Sequence, residues 1–156
     1  MNAETRTLEQ VYRSTVSGLY ARLKSNYDFI YCRFGDDGIR LVTDMSREYG
    51  LSIAQRARDK LEDNGLISVA NYLFRIFDTV GRRSSSTPNI DRSDTAVVIK
   101  IEQCPLLSDK PEMCLAHTTM EKTMVEELNP DLTYRIGKSI PAGDTYCEHV
   151  VEVKKT

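Results

Sequence analysis

The sequence predicts an α/β protein of the α+β type, in which a helical N-terminal half packs on a small antiparallel sheet from the C-terminal half. Apolar residues recur at helical spacing up to Val80, whereas from Thr95 onward β-branched residues alternate with polar ones. With 156 residues and 40% apolar composition, the chain suits a single packed domain, 1–156.

Four helices are expected in the first half, each from an apolar stripe and a boundary signal. Their predicted ranges are Thr7–Lys24, Ile39–Tyr49, Ser52–Asn64 and Val69–Val80. Thr7 and Gln10 offer a capping box for the first helix, because each side chain can bond the other residue's backbone N–H. Gly50 is expected to separate the second helix from the third.

The second half is predicted to follow a strand-helix-strand-strand order. The predicted ranges are Thr95–Gln103, Asp109–Leu128, Thr133–Ile140 and Thr145–Val153. The polar segment Arg82–Asp94 precedes them and contains few apolar residues. We expect it to be an exposed connection, with a lid over a ligand as the alternative.

Charge and the N-terminal sequence exclude some classes of protein. With 21 basic and 23 acidic residues, the formal charge is −2, so the chain lacks the basic excess typical of a nucleic-acid-binding surface. The N-terminal sequence is polar and no apolar run approaches transmembrane length, so a cytoplasmic protein without a membrane segment is the default expectation. In a reducing compartment the four cysteines are expected as thiols or ligands rather than disulfides.

Residues with reactive or metal-binding side chains are concentrated in the second half. Cys114, His117 and Glu121 are spaced i, i+3 and i+7, so they can lie on one face of the predicted helix. Cys147 and His149 share one face of the last strand by its period of two. If the helix packs over the sheet, the two sets meet.

Cys104, at the end of the first strand, is expected in the same neighbourhood as Cys114 and Cys147. Such a set of thiolates and imidazoles would suit zinc or ferrous iron, with an open position for catalysis. The candidate ligands are Cys104, Cys114, His117, Cys147 and His149. No CxxC or HExxH spacing fixes two ligands locally, so reactive thiols without a metal and inert core cysteines stay open as alternatives. Cys32 is expected to be structural.

The absence of G-x-S-x-G, P-loop and dinucleotide-binding motifs argues against serine hydrolases and nucleotide-binding proteins. The runs CPLLSDKPEMC and KSIPAGDTYCEHVVEV resemble the L-2-amino-thiazoline-4-carboxylic acid hydrolase family. More distantly, they are similar to the four-vinyl-reductase and haem-nitric-oxide-binding group of small-molecule domains. The resemblance covers the last third of the chain and is carried by Cys104-Pro105, Cys114, Gly143-Asp144 and Cys147.

The resemblance implies helices that cover a small antiparallel sheet, with a ligand cavity between them. It also implies hydrolytic ring opening of a small cyclic amidine-like substrate. The metal-binding relatives carry a further cysteine and an acidic ligand where this chain has Lys138-Ser139-Ile140. A metal site of their type would therefore need His117 or His149 as a substitute.

The first functional hypothesis is a small-molecule hydrolase with a Cys/His site. Cys104 or Cys147 would be the nucleophile or a metal ligand. His117 or His149 would be the general base, with its imidazole oriented by Glu121.

A substrate carboxylate would need a cation, and Arg135 or Lys138 on the neighbouring strand is the candidate. The alternative function is a non-catalytic ligand sensor or dimerising adaptor, in which the same cavity binds an apolar small molecule. That alternative allows a homodimer as the assembled form.

Overall fold

Four α-helices and four strands make up the part of the protein that the computed structural model describes, residues 6–81 and 89–155. In chain order they are α1 (Leu8–Phe34), α2 (Asp36–Arg58), α3 (Leu66–Gly81), β1 (Asn89–Arg92), β2 (Ala96–Ile101), α4 (Pro111–Leu128), β3 (Leu132–Ile136) and β4 (Cys147–Val153). The predicted α+β fold class, with a helical N-terminal half and an antiparallel sheet from the C-terminal half, is confirmed.

Helix α1 begins as predicted but ends later. The N–H of Gln10 donates to Thr7 Oγ1 at 3.2 Å and the N–H of Thr7 donates to Gln10 Oε1 at 2.8 Å, so the capping box is present. The helix continues past Lys24 to Phe34, where Gly35 adopts a φ of 53° and ends it. Polar and aromatic residues interrupt the apolar stripe after Lys24, so apolar spacing places the end too early.

Gly50 does not separate two helices, contrary to the prediction. The second and third predicted helices form one continuous α2, and Gly50 is buried within it. A Cβ atom at this position would lie 2.5 Å from the carbonyl oxygen of Met120 on α4, far closer than real Cβ contacts. The glycine therefore allows α2 and α4 to pack closely, although glycine inside a helix is about 1 kcal/mol less favourable than alanine.

The strands form an antiparallel sheet in the order β1-β2-β4-β3. Its register pairs Ile99 with His149 and Ile101 with Cys147, so these side chains lie on the same face. Val151 lies on that face as well, in agreement with the predicted alternation along β4. This face meets the helices, because Ile99 and Val151 belong to the larger hydrophobic core.

Strand β1 is absent from the sequence prediction. It falls inside Arg82–Asp94, which was expected to be an exposed connection, and it pairs Ile90 with Ile99 of β2. Its sequence NIDR contains one aliphatic residue, and a strand at the edge of a sheet needs few apolar side chains, so no alternation reveals it. Residues 82–88, and with them most of the suggested lid, lie outside the described residues.

The boundaries of the later elements differ by a few residues from the prediction. Helix α4 begins at Pro111, two residues after the predicted start at Asp109. Strand β3 ends at Ile136 rather than Ile140, because the chain turns through a short 3₁₀ helix, Ile140–Ala142. Strand β4 begins at Cys147 rather than Thr145. None of the helices within residues 6–81 and 89–155 is long and apolar enough to span a membrane.

Two hydrophobic clusters hold the elements together. The larger one packs α2, α3 and α4 on the sheet, with Leu73, Ile99 and Met124 among its fully buried side chains. The smaller one packs α1 on α2 and α4 around Tyr27 and Val42. Helix α4 contributes to both clusters, so its position relative to the sheet is fixed from two sides.

Candidate functional site

A cavity lies between the helix-facing side of the sheet, α3, α4 and the segment 102–106. Its volume is about 90 Å³. A single water needs about 10–15 Å³ on this measure, so the cavity has room for several waters or one small organic molecule. Apolar side chains form most of the wall, including Ile76, Phe77 and Val80 of α3.

The cavity brings together the reactive side chains that the sequence singled out in its second half. They are Cys104, Cys114, His117, Glu121, Cys147 and His149. Helix α4 presents three of them on one face, β4 presents two at alternate positions, and the cysteine after β2 completes the group. Cys32 is exposed on α1, and the four cysteines are free thiols.

Each histidine is paired with a tyrosine hydroxyl. Tyr27 Oη lies 3.0 Å from His117 Nδ1, and Tyr134 Oη lies 2.6 Å from His149 Nδ1. Burial lowers the pKa of His117 to about 4. Burial, with a smaller contribution from His117, lowers the pKa of His149 to about 3. Both imidazoles are therefore neutral near pH 7, with one ring nitrogen already engaged.

The buried cysteines of the cavity are protonated thiols at neutral pH. Burial, with smaller contributions from nearby acidic groups, raises the pKa of Cys114 to about 12. Burial also raises the pKa of Cys147, although the N–H of Ile140 donates to its Sγ at 3.3 Å and opposes the shift. A thiol attacks carbon or binds a metal as its thiolate, so these two cysteines are poorly prepared for either task.

The predicted metal site does not fit the side-chain arrangement. Among the described residues, no group of three or more His, Cys, Asp and Glu side chains is placed to hold a metal ion. This includes the predicted ligand set Cys104, Cys114, His117, Cys147 and His149. These side chains line one cavity, but they do not converge at ligand distance around a common point.

Glu121 is the most unusual group in the cavity. The residue is 5% exposed, and its Oε2 is buried without a hydrogen-bond partner among the described residues. Burial raises the pKa of Glu121 to about 7. Its predicted role was to orient an imidazole, but the Nδ1 atom of His117 is bonded by Tyr27 instead. A buried polar atom without a partner requires an explanation, and a bound ligand provides one.

The sequence reasoning missed both tyrosines that bond the imidazoles. Tyr134 was detectable in principle, because it stands two residues before Ile136 and so faces the helices by the period of a strand. Tyr27 follows the predicted end of the first helix, and no local pattern connects it to a histidine 90 positions away.

The structure places Arg135 and Lys138 outside the cavity. Arg135 alternates with Tyr134 along β3, so it points to the opposite face of the sheet, where its Nε donates to Glu152 Oε1 at 2.9 Å. Lys138 Nζ donates to Tyr146 Oη at 2.6 Å. Among the cavity-lining residues that the structure describes there is no lysine or arginine. The prediction that these two cations hold a substrate carboxylate is therefore not supported by their positions.

Comparisons with known proteins do not assign the chain. The hydrolase resemblance of the sequence therefore stays a prediction. No protein-family model matches this chain, and none of the curated proteins matches it significantly.

Proposed function

We propose that this protein binds a small, mostly apolar molecule in the cavity, as a ligand-binding module. The observation that carries the proposal is a mostly apolar cavity at the junction of α3, α4 and the sheet. Cavities of this kind, with a few polar groups among apolar walls, are the usual form of small-molecule sites.

The protonation states in the cavity favour binding over thiol-based catalysis. An imidazole with a pKa of about 4 or about 3 is a weak base, and it would have to remove a proton from the candidate nucleophile Cys147, whose thiol pKa is raised by burial. General-base catalysis works best when the pKa of the base lies near the working pH. The two histidines do not meet this condition.

A hydrolase is the second candidate, and one observation favours it. The pKa of Glu121 is raised to about 7 by burial, which is the range of a general acid or base that works near neutral pH. In that case Glu121, rather than a histidine, would activate water against a small cyclic amidine-like substrate. The predicted cysteine nucleophile would then not be needed.

Binding can be tested with benzyl alcohol, a neutral probe with an apolar ring. Titration into ¹³C-methyl-labelled protein should produce saturable shifts of the Ile101 and Ile136 methyl groups, because both side chains line the cavity. A Val80→Phe variant places a ring in the wall and should weaken binding at least tenfold.

The matched control is Ile67→Phe, which adds a similar ring at an exposed position on the same helix. It should bind benzyl alcohol like the wild-type protein. Absence of saturable shifts in the wild type, or equal affinity of the Val80→Phe variant, would contradict the proposal.

A further inference from the structure

We propose that the ligand of this cavity is a small amine, with an apolar body and one protonated nitrogen that docks against the carboxylate of Glu121. This inference rests on the proposed ligand-binding function and specifies the chemical class of the ligand.

The unpartnered oxygen of Glu121 is the first observation. Oε2 has no hydrogen-bond donor among the described residues, and Glu121 is 5% exposed and lines the cavity, so its partner has to come from what occupies the cavity. A buried carboxyl oxygen without a donor destabilises the protein. A ligand that brings a charged N–H donor removes this deficit, because hydrogen bonds to an ionised acceptor are the stronger ones.

The charge of the cavity wall is the second observation. Of the described residues that line the cavity, two are acidic, Glu102 and Glu121, and none is a lysine or arginine. The imidazoles of His117 and His149 carry no charge near pH 7, because burial lowers their pKa values. Within the described part of the wall an anionic ligand would meet no lysine or arginine, whereas a cation meets the carboxylate of Glu121.

The remaining wall determines the rest of the ligand. Ile76, Phe77 and Ile101 line the cavity and would contact an apolar ring or short alkyl chain. One unpartnered oxygen matches one compact ammonium, whereas the planar fork of a guanidinium prefers two acceptor oxygens. A primary amine of benzylamine size fits these conditions and the room available.

Three probes of similar shape and different charge test the inference: benzylamine, benzyl alcohol and benzoate. At pH 8 the wild-type protein should bind benzylamine at least tenfold more tightly than benzyl alcohol, and benzoate more weakly than both. Glu121→Gln should remove the preference for benzylamine over benzyl alcohol. Glu112→Gln, an exposed position on the same helix, should keep the wild-type preference.

A second arm does not depend on Glu121→Gln and tests the inference if that variant does not fold. Benzylamine stays protonated between pH 5.5 and 8, whereas Glu121, with a pKa of about 7, loses most of its charge at the lower pH. The wild-type preference for benzylamine should therefore fall at least tenfold from pH 8 to pH 5.5.

The other titratable groups around Glu121 do not imitate this response. The pKa values of His117 and His149 lie below the range, and those of Cys114, Cys147, Tyr27 and Tyr134 are raised, so these groups keep one charge state. Glu102 and Cys104 also line the cavity, so Glu102→Gln and Cys104→Ser, which keep Glu121, should show the same fall in preference between pH 8 and pH 5.5.

The outcomes distinguish the inference from the function on which it rests. Equal affinity for benzylamine and benzyl alcohol, or a preference that persists in Glu121→Gln, overturns the amine inference and leaves the binding function standing. Failure of all three probes to bind overturns both. Tighter binding of benzoate than of benzylamine also overturns the amine inference.

Discussion

Replacing Glu121 with glutamine should change how the stability of the protein depends on pH. Burial raises the pKa of Glu121 from 4.5 to about 7, so the folded state holds a proton that the unfolded state releases between these two values. Because the folded state then binds more protons than the unfolded state, the free energy of unfolding falls as the pH rises through this window. Glutamine does not titrate, so the variant lacks this loss.

The magnitude follows from the two pKa values. A difference of one pH unit between folded and unfolded pKa corresponds to about 1.4 kcal/mol. For Glu121 the ionisation penalty is about 1 kcal/mol at pH 5 and about 3 kcal/mol at pH 8. The stability of Glu121→Gln relative to wild type should therefore increase by about 2 kcal/mol between these pH values. Any pH-independent cost of the buried amide cancels in this comparison.

Other groups change wild-type stability over the same range but do not enter the difference. The pKa values of His117 and His149 are lowered by burial, so these two residues contribute stability that is lost as the pH falls below 6.5. Both histidines are present in wild type and variant, so their contributions cancel to the extent that the substitution leaves their surroundings unchanged.

Urea unfolding at pH 5, 6, 7 and 8, followed by circular dichroism, measures the difference directly. Glu112→Gln is the control, because it makes the same substitution at an exposed position of the same helix. Parallel stability curves for wild type and Glu121→Gln would show that Glu121 titrates at its ordinary pKa. The account of a carboxyl held in an unfavourable environment would then be refuted.

Two further expectations concern the helix contact and the cysteines. Gly50→Ala should lower the free energy of unfolding by about 2–4 kcal/mol, because the added Cβ would meet the carbonyl oxygen of Met120 at 2.5 Å. Gly18→Ala is the control, and it should not destabilise the protein, because the space around its Cβ is open. Equal melting temperatures for the two variants would contradict the close contact of α2 and α4. Cys104→Ser and Cys147→Ser should retain benzyl alcohol binding, measured by the same methyl shifts. If the wild-type protein hydrolyses a thiazoline substrate and these variants do not, the cysteine mechanism is correct instead.

Local patterns were sufficient for much of the fold and for part of the cavity wall. The helical spacing of Cys114, His117 and Glu121 and the alternation of Cys147 and His149 depend only on backbone periodicity. These side chains met because α4 packs on the sheet, as expected from its apolar residues.

Features that depend on contacts between distant segments were mispredicted or missed. Gly50 has the signature of a helix break, and only the position of α4 shows that it serves packing. The edge strand β1 forms because β2 offers a partner, so its own four residues carry little signal. The sequence likewise placed Arg135 near the site by proximity along the chain, although strand alternation turns it to the other face.

The pairing of Tyr27 with His117 has a consequence for helix α1. Tyr27 is the buried residue of this helix, while Leu8, Val11 and Leu19 remain exposed along its N-terminal half. The imidazole of His117, to which Tyr27 is bonded, belongs to the cavity wall, so a ligand bound as proposed would contact a group that holds α1. Under that proposal, filling the cavity would change how tightly α1 packs on the rest of the protein.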